Sequence, residues 1–379
     1  MTDAMPPLAL SVMRTIIPFR EHVAGQIESK RIQTAGGRLY ADITPILRHP
    51  LGRRMLLRGF KNMDRLAVIA LAELAERPRF LSNGERFNHL KLLPAALPHI
   101  LRMFHILFWA KSEGVTSEVL SFINSYIAAM KTKLNVAPDV RSKLDIAMSE
   151  MQQIIKPILT WAPYSAAGIA ATALLNTLLI SKDDTNDSAA LERGLTGHVA
   201  TEMNLAVGGL ADAARASKVL MAHLSRVDLD AKTRLAGAAN LPGGEAFVQA
   251  WDTFMISYGA RAPSEIDLSR PRWSEDPSSL LQMVVNVMGH SEPGAHRAHY
   301  QKLIEEGEKA TQNLVVKAQK SWWGWVRAPF ICRLISLSRN LSPLREHHKF
   351  LCVRLLALIK PVLLEAGKQL EEEDKLKSS

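Results

Sequence analysis

Residues 158–180 read ILTWAPYSAAGIAATALLNTLLI, and how this stretch is read decides the fold. It has no Asp, Glu, Lys or Arg, lies between Lys156 and Lys182, and is long enough to span a membrane. Against a span stand Pro163, Asn176, the repeated Ser and Thr, and a preference for Ala over Leu or Phe. The same composition suits a helix buried all round by other helices. Burying a helix on every side takes several packed layers. The stretch therefore predicts a predominantly all-α protein, a large multi-helix orthogonal assembly, with no membrane partner.

The flanking sequence agrees. Met55–Glu76, Glu118–Leu134, Val140–Ile155 and Val199–Leu224 place apolar residues at helical spacing. Ile100–Trp109 is nearly all apolar, as an inner helix would be. Asp276-Pro277-Ser278 is a start signal for a helix over Ser279–Met288. One segment breaks the pattern: after Gly36-Gly37, apolar and polar residues alternate through Ile43, which predicts one short β element near residues 37–44. Ser181–Asp187 and Asn240–Gly244 read as loops, and the charge run Glu371–Lys375 as a frayed end. With no internal repeat, the expectation is a single large domain over 1–379.

Composition narrows the function. Of 379 residues 47% are hydrophobic and 22% charged, the balance of a globular chain. The net charge is +10, but Lys and Arg are spread along the chain with no basic run, which argues against nucleic acid as a partner. Cys332 and Cys352 suggest neither a disulfide framework nor a thiol metal motif and fit a cytoplasmic setting. No secretory signal opens the sequence. There is no G-x-S-x-G elbow, no H-E-x-x-H and no dinucleotide glycine motif.

Three polar clusters remain. Tyr258–Pro277 holds three Arg, four carboxylates and three Pro, so it is a structured loop. It reads either as a polar site, with Glu265 or Asp267 as base and Arg272 among the anion clamps, or as an Arg–carboxylate network anchoring a long loop. Gly194–Met203 offers two glycines for a tight turn, with Thr196 as a cap and Glu202 in the first turns of the next helix. In Arg345-Glu346-His347-His348-Lys349, helical spacing sets Arg345 and Lys349 side by side, suited to a pocket rim; the adjacent His and Glu point to different sides and make a poor metal site. Met103, Phe104 and Phe108 are candidates for an apolar pocket wall, or for plain core.

Together these segments resemble a known family, the rifampicin phosphotransferases and related phosphoenolpyruvate-synthase-like proteins. The similarity is carried by Gly197–Leu205 with Leu210–Arg215, by Tyr258–Arg261, Glu265–Leu268 and Pro271–Pro277, by Arg345–Lys349, and by Ala35–Thr44 with Pro50–Arg54. The resemblance implies a machine of three parts. An ATP-grasp domain binds ATP and Mg, a small domain carries a phosphohistidine, and a central helical domain holds an apolar, polyhydroxylated, rifamycin-like substrate. This chain corresponds to the central part. No cofactor, catalytic residue or metal ligand is carried over to it, and phosphoryl transfer would need ATP-grasp and phosphohistidine partners in trans. The alternative is a stand-alone ligand-binding or sequestering protein, or a degenerate remnant. By position in the matching helix, Arg345 and Lys349 would face the substrate. Ser264 departs from the glycine often found before the Glu-Ile-Asp run, where glycine would allow positive φ.

Overall fold

The computed structural model describes residues 4–16, 20–23, 26–29, 32–60, 65–77, 89–178, 187, 190–320 and 324–376. They divide into two compact units, Met1–Ile100 and Leu101–Ser379.

The first unit opens with α1 (Pro7–Ile16) and two antiparallel hairpins, β1 (Arg20–Val23) with β2 (Gln26–Ser29) and β3 (Ile32–Ala35) with β4 (Arg38–Ala41). In the second hairpin Ala35 pairs with Arg38 across Gly36 and Gly37, whose φ values of +55° and +71° suit a tight two-residue turn. The alternation after Gly37 therefore marks β4; the other three strands, of four residues each, are too short and polar to stand out. Next come α2 (Thr44–Arg48), α3 (Pro50–Phe60) and α4 (Arg65–Glu76). The helix predicted over Met55–Glu76 thus falls on two helices, with 61–64 outside the described residues.

The second unit begins within α5 (His89–Phe108), and among the described residues its regular elements are all helices: α6 (Val115–Val136), α7 (Val140–Gln153), α8 (Ile155–Leu178), α9 (Val199–Ala214), α10 (Lys218–Leu224), α11 (Ala231–Ala238), α12 (Gly244–Tyr258), α13 (Ser278–His290), α14 (Ala295–Gln319), α15 (Gly324–Leu341) and α16 (Leu344–Glu372). Helices α6, α7, α8 and α9 all pack on α16, while α15 packs on α6, α8 and α14. Beside them, α9 to α13 enclose a core that includes Leu210, Phe247, Trp251, Phe254, Leu281 and Val284.

Two expectations need correction. The stretch from Val140 to Leu178 is long and apolar enough to cross a membrane, yet α8 is buried on one side rather than all round. Its small residues Ala167, Gly168 and Ala171 are buried and the helix packs on α15, while Leu159, Ile169 and Leu178 are exposed. A Cβ on Gly168 would come within 2.8 Å of the backbone at Leu341 and Ser342, so the small face allows close approach. The C-terminal part of α5 is likewise not an inner helix: Ile106 and Leu107 are buried, but Leu101, Phe104, Phe108 and Trp109 are exposed. Long apolar runs give no phase to a helix, so the sequence does not say which side is covered.

Candidate functional site

A cavity of about 800 Å³ lies among α6, α9, α12, α15 and α16, at the large end of the range for small-molecule sites. Its floor is set by a tight approach of two turns. Gly194 and Gly197 both have positive φ (+60° and +73°), and a Cβ on Gly197 would stand 2.4 Å from Thr116 Cγ2 at the start of α6. The turn that glycines permit thus brings the start of α9 beside the start of α6. The N-cap of α9 is His198, whose side chain accepts from the Thr201 N–H, so the capping role expected of Thr196 falls to His198; Thr196 lines the cavity instead. Glu202 also lines the cavity and reaches back to the Gly197 N–H at 3.4 Å.

The opposite wall is α16. His347, Phe350 and Arg354 fall three and four residues apart, which aligns them on one side of a helix, and all three line the cavity. Arg354 stacks over the Phe350 ring at 5.4 Å and donates to Asn124 Oδ1 on α6; burial lowers its tendency to hold a proton. His347 is 1% exposed. Its Nδ1 lies 3.2 Å from the Pro343 carbonyl oxygen, which can only accept, so Nδ1 carries the ring proton and Nε2 bears the lone pair. Burial pushes the His347 pKa down, and the neighbouring His348 and His198 act in the same direction, so the ring is neutral near pH 7.

Polar groups complete the lining. Asn340 donates to Ser112 Oγ at 3.0 Å, and Thr116 Oγ1 donates to the Asn340 carbonyl at 3.0 Å. Tyr258 packs its ring against Phe254 and Phe350, at 5.1 and 6.4 Å between centroids. Burial raises its pKa, and the Glu202 charge adds to the rise. Ser257 and Tyr258 also border a second hollow of about 460 Å³ between α9 and α12, so they form a partition between two spaces.

The loop after α12 is a network of ion pairs and hydrogen bonds. Arg261 grips Glu265 with two bonds of 2.9 Å, and Lys349 adds a third at 2.7 Å. Arg272, 1% exposed, donates to the Glu265 carbonyl, and Lys360 bonds Glu275 and the Arg270 carbonyl. Asp267 accepts from the Ser269 N–H and hydroxyl at 2.9 and 2.7 Å. Trp273 inserts into the core and donates to Ser279 Oγ. Ser264 adopts φ +58°, the left-handed conformation that its place before the Glu-Ile-Asp run suggested for a glycine.

Of the residues singled out from sequence, then, Glu202 lines the cavity, whereas Glu265, Asp267 and Arg272 belong to the loop network. Lys349 is tied to Glu265, and Arg345, 3.7 Å from Glu346, has a largely exposed side chain. At 100° per residue both stand well round the helix from His347, Phe350 and Arg354, so they do not form the cavity rim. Met103, Phe104 and Phe108 lie outside its lining too. Sequence reading missed Phe350, Arg354 and Tyr258 as lining residues; the i, i+3, i+7 spacing of His347, Phe350 and Arg354 was the available signal. Among the described residues no group of three or more His, Cys, Asp or Glu is placed to hold a metal ion.

Comparison with known proteins gives the same family twice. Residues 160–346 match the family described as the rifampicin phosphotransferase fourth domain, a span that takes in the loop after α12 and the α9, α12 and α15 sides of the cavity but stops short of its α16 wall. The rifampicin phosphotransferase of Bacillus cereus is 27% identical over 99% of this chain, and that of Bacillus subtilis 28% identical over 98%. A prodigiosin synthesizing transferase, PigC of Serratia marcescens, is 27% identical over 36% of the chain. The chain spans only 42% and 41% of the length of the two Bacillus proteins. The chain is thus similar over nearly its whole length to rifampicin phosphotransferases, and residues 160–346, just under half of it, match their fourth domain.

Proposed function

We propose that this chain is the substrate-binding part of a rifampicin phosphotransferase-like, ATP-dependent system. It takes an apolar, polyhydroxylated, rifamycin-like molecule into the 800 Å³ cavity. ATP and Mg belong to an ATP-grasp partner and the transferred phosphoryl group to a phosphohistidine partner. On this reading the chain alone does not phosphorylate, and its setting is cytoplasmic. The observation that carries the proposal is the cavity itself: Leu120, Val199, Ile256 and Phe350 give an apolar wall, and Glu202, Tyr258, His347 and Arg354 give a few polar groups to orient a ligand.

One observation favours a second reading, a stand-alone binding or sequestering protein. Every lining residue lies in the unit Leu101–Ser379, so capture of a ligand requires no other domain. Titration calorimetry with rifampicin tests the shared claim. Saturable one-to-one binding that weakens at least tenfold in Phe350→Ala supports it, and absence of binding at millimolar drug removes rifampicin as the ligand. Adding ATP, Mg and the ATP-grasp and phosphohistidine domains of a related enzyme then separates the readings: phosphorylated drug means a phosphotransferase part, unmodified drug a sequestering protein.

A further inference from the structure

The geometry points to His347 as the residue that reads a hydroxyl group of the cavity's ligand, accepting a hydrogen bond from it at Nε2. The inference rests on the proposed ligand-binding role and adds the chemistry by which the cavity selects. His347 is the most deeply enclosed polar side chain of the wall, 1% exposed, and a buried polar group without a partner is costly. Its Nδ1 proton is committed to the Pro343 carbonyl one helical turn back. This bond fixes both the tautomer and the ring plane, leaving a lone pair on Nε2. Among the described residues none hydrogen-bonds Nε2, and Nε2 is not among the side-chain atoms that are both unpartnered and sealed from solvent. Its opening is therefore the cavity that His347 lines. An acceptor held in this way selects ligands with an O–H or N–H at one point and rejects those with a carbonyl or ether there.

The surroundings keep that acceptor neutral. From α9 the titratable groups nearby are His198 and Glu202, from α12 Tyr258, and from α16 itself Glu346, His348 and Arg354. The cavity-lining residues of α6, namely Thr116, Ser117, Leu120 and Asn124, carry no charge, and α8 presents Ser165 to His348 rather than to His347. Burial, with His348 and His198 beside it, outweighs the pull of Glu346 and the Pro343 bond. Protonating Nε2 turns the acceptor into a donor and removes the recognition.

The test is rifampicin affinity by calorimetry from pH 8 to pH 5 for wild type, His347→Leu and His347→Gln, with circular dichroism to show that each is folded. Glutamine can place an amide oxygen where Nε2 stands. Expected are an affinity flat from pH 8 to 6.5 that falls toward tenfold per pH unit at lower pH, a loss of about tenfold in His347→Leu at pH 7.5, and recovery of most of it in His347→Gln with a flat pH profile. Wild-type binding that is indifferent to both pH and His347→Leu overturns the role of His347 while leaving the cavity as the binding site. Should His347→Leu fail to fold, the wild-type and His347→Gln profiles decide: parallel profiles overturn the inference. No wild-type binding at any pH overturns this inference together with the proposed ligand.

Discussion

Lys349 Nζ lies 2.7 Å from Glu265 Oε1, on a carboxylate that Arg261 already holds with two bonds. A residue expected to meet a ligand is thus engaged within the protein. Glu265 is 6% exposed, and burial alone would raise its pKa; the hydrogen bonds and charges of Arg261 and Lys349 outweigh burial and hold it below the ordinary carboxylate value. A depressed carboxyl pKa stabilises the fold above the unfolded-state value and loses that contribution as pH falls through the folded value. Glu265→Gln is expected to cost roughly 3 kcal/mol at pH 7. Urea denaturation should show the gap between variant and wild type narrowing as pH drops below about 4.3, the unfolded glutamate value. Lys349→Met, at a side chain 44% exposed, should cost only about 1 kcal/mol.

Ser264 holds φ +58° with a Cβ that disfavours it. Ser264→Gly removes strain of about 1–2 kcal/mol and adds up to about 1 kcal/mol of unfolded-state entropy. The variant should be more stable by about 0.5–1 kcal/mol, read as a higher urea midpoint with an unchanged slope. A lower midpoint would mean that the serine side chain contributes to holding the loop.

Two helical glycines should respond to alanine with opposite signs. A Cβ at Gly209 in α9 meets nothing within 4 Å, so Gly209→Ala should gain the helix-propensity difference of about 1 kcal/mol. At Gly168 the same Cβ stands 2.8 Å from the backbone of Leu341 and Ser342, which cannot rotate away. Overpacking of about 1–3 kcal/mol offsets the propensity gain there, and Gly168→Ala should be destabilising. Comparing the two denaturation curves with wild type checks both.

The two thiols should differ sharply. Cys332 is exposed, whereas burial pushes the Cys352 pKa up to about 11. Only the thiolate alkylates. At pH 8 iodoacetamide should modify Cys332 within minutes and leave Cys352 unreacted in the folded protein, as peptide mass spectrometry would show; both should react in urea.

How much of this was legible in the sequence depended on whether a pattern carried phase. Val199–Leu224 alternates small, apolar and polar residues, and its helices lie where the spacing puts them, although the chain breaks between Ala214 and Lys218. The positive φ at Gly194 and Gly197 was readable because two glycines in four residues have few other uses. By contrast, 158–180 carries no charged residue and 100–109 is nearly all apolar, so neither shows a polar face, and the exposure of Ile169 and Phe104 was invisible in them. For the loop, sequence reading left two alternatives, and the network exists: its carboxylates and arginines are close enough along the chain to satisfy one another. The cavity was the least legible part. Five helices supply it, and of its wall only Thr196, Gly197, Val199, Glu202, Tyr258 and His347 stood in the polar clusters singled out from sequence.

Helix α16 turns one edge to the cavity, with His347, Phe350 and Arg354, and another to the loop, with Lys349 and Lys360. At 100° per residue the two edges stand far enough apart that a side chain on one does not reach the other. The consequence is evolvability. Under the proposed ligand-binding role, substitutions on the first edge retune which molecule is held without loosening the network that fixes the loop, and the second edge changes without disturbing selectivity. On that reading, a lineage that keeps this helix can drift from one ligand to another through folded intermediates.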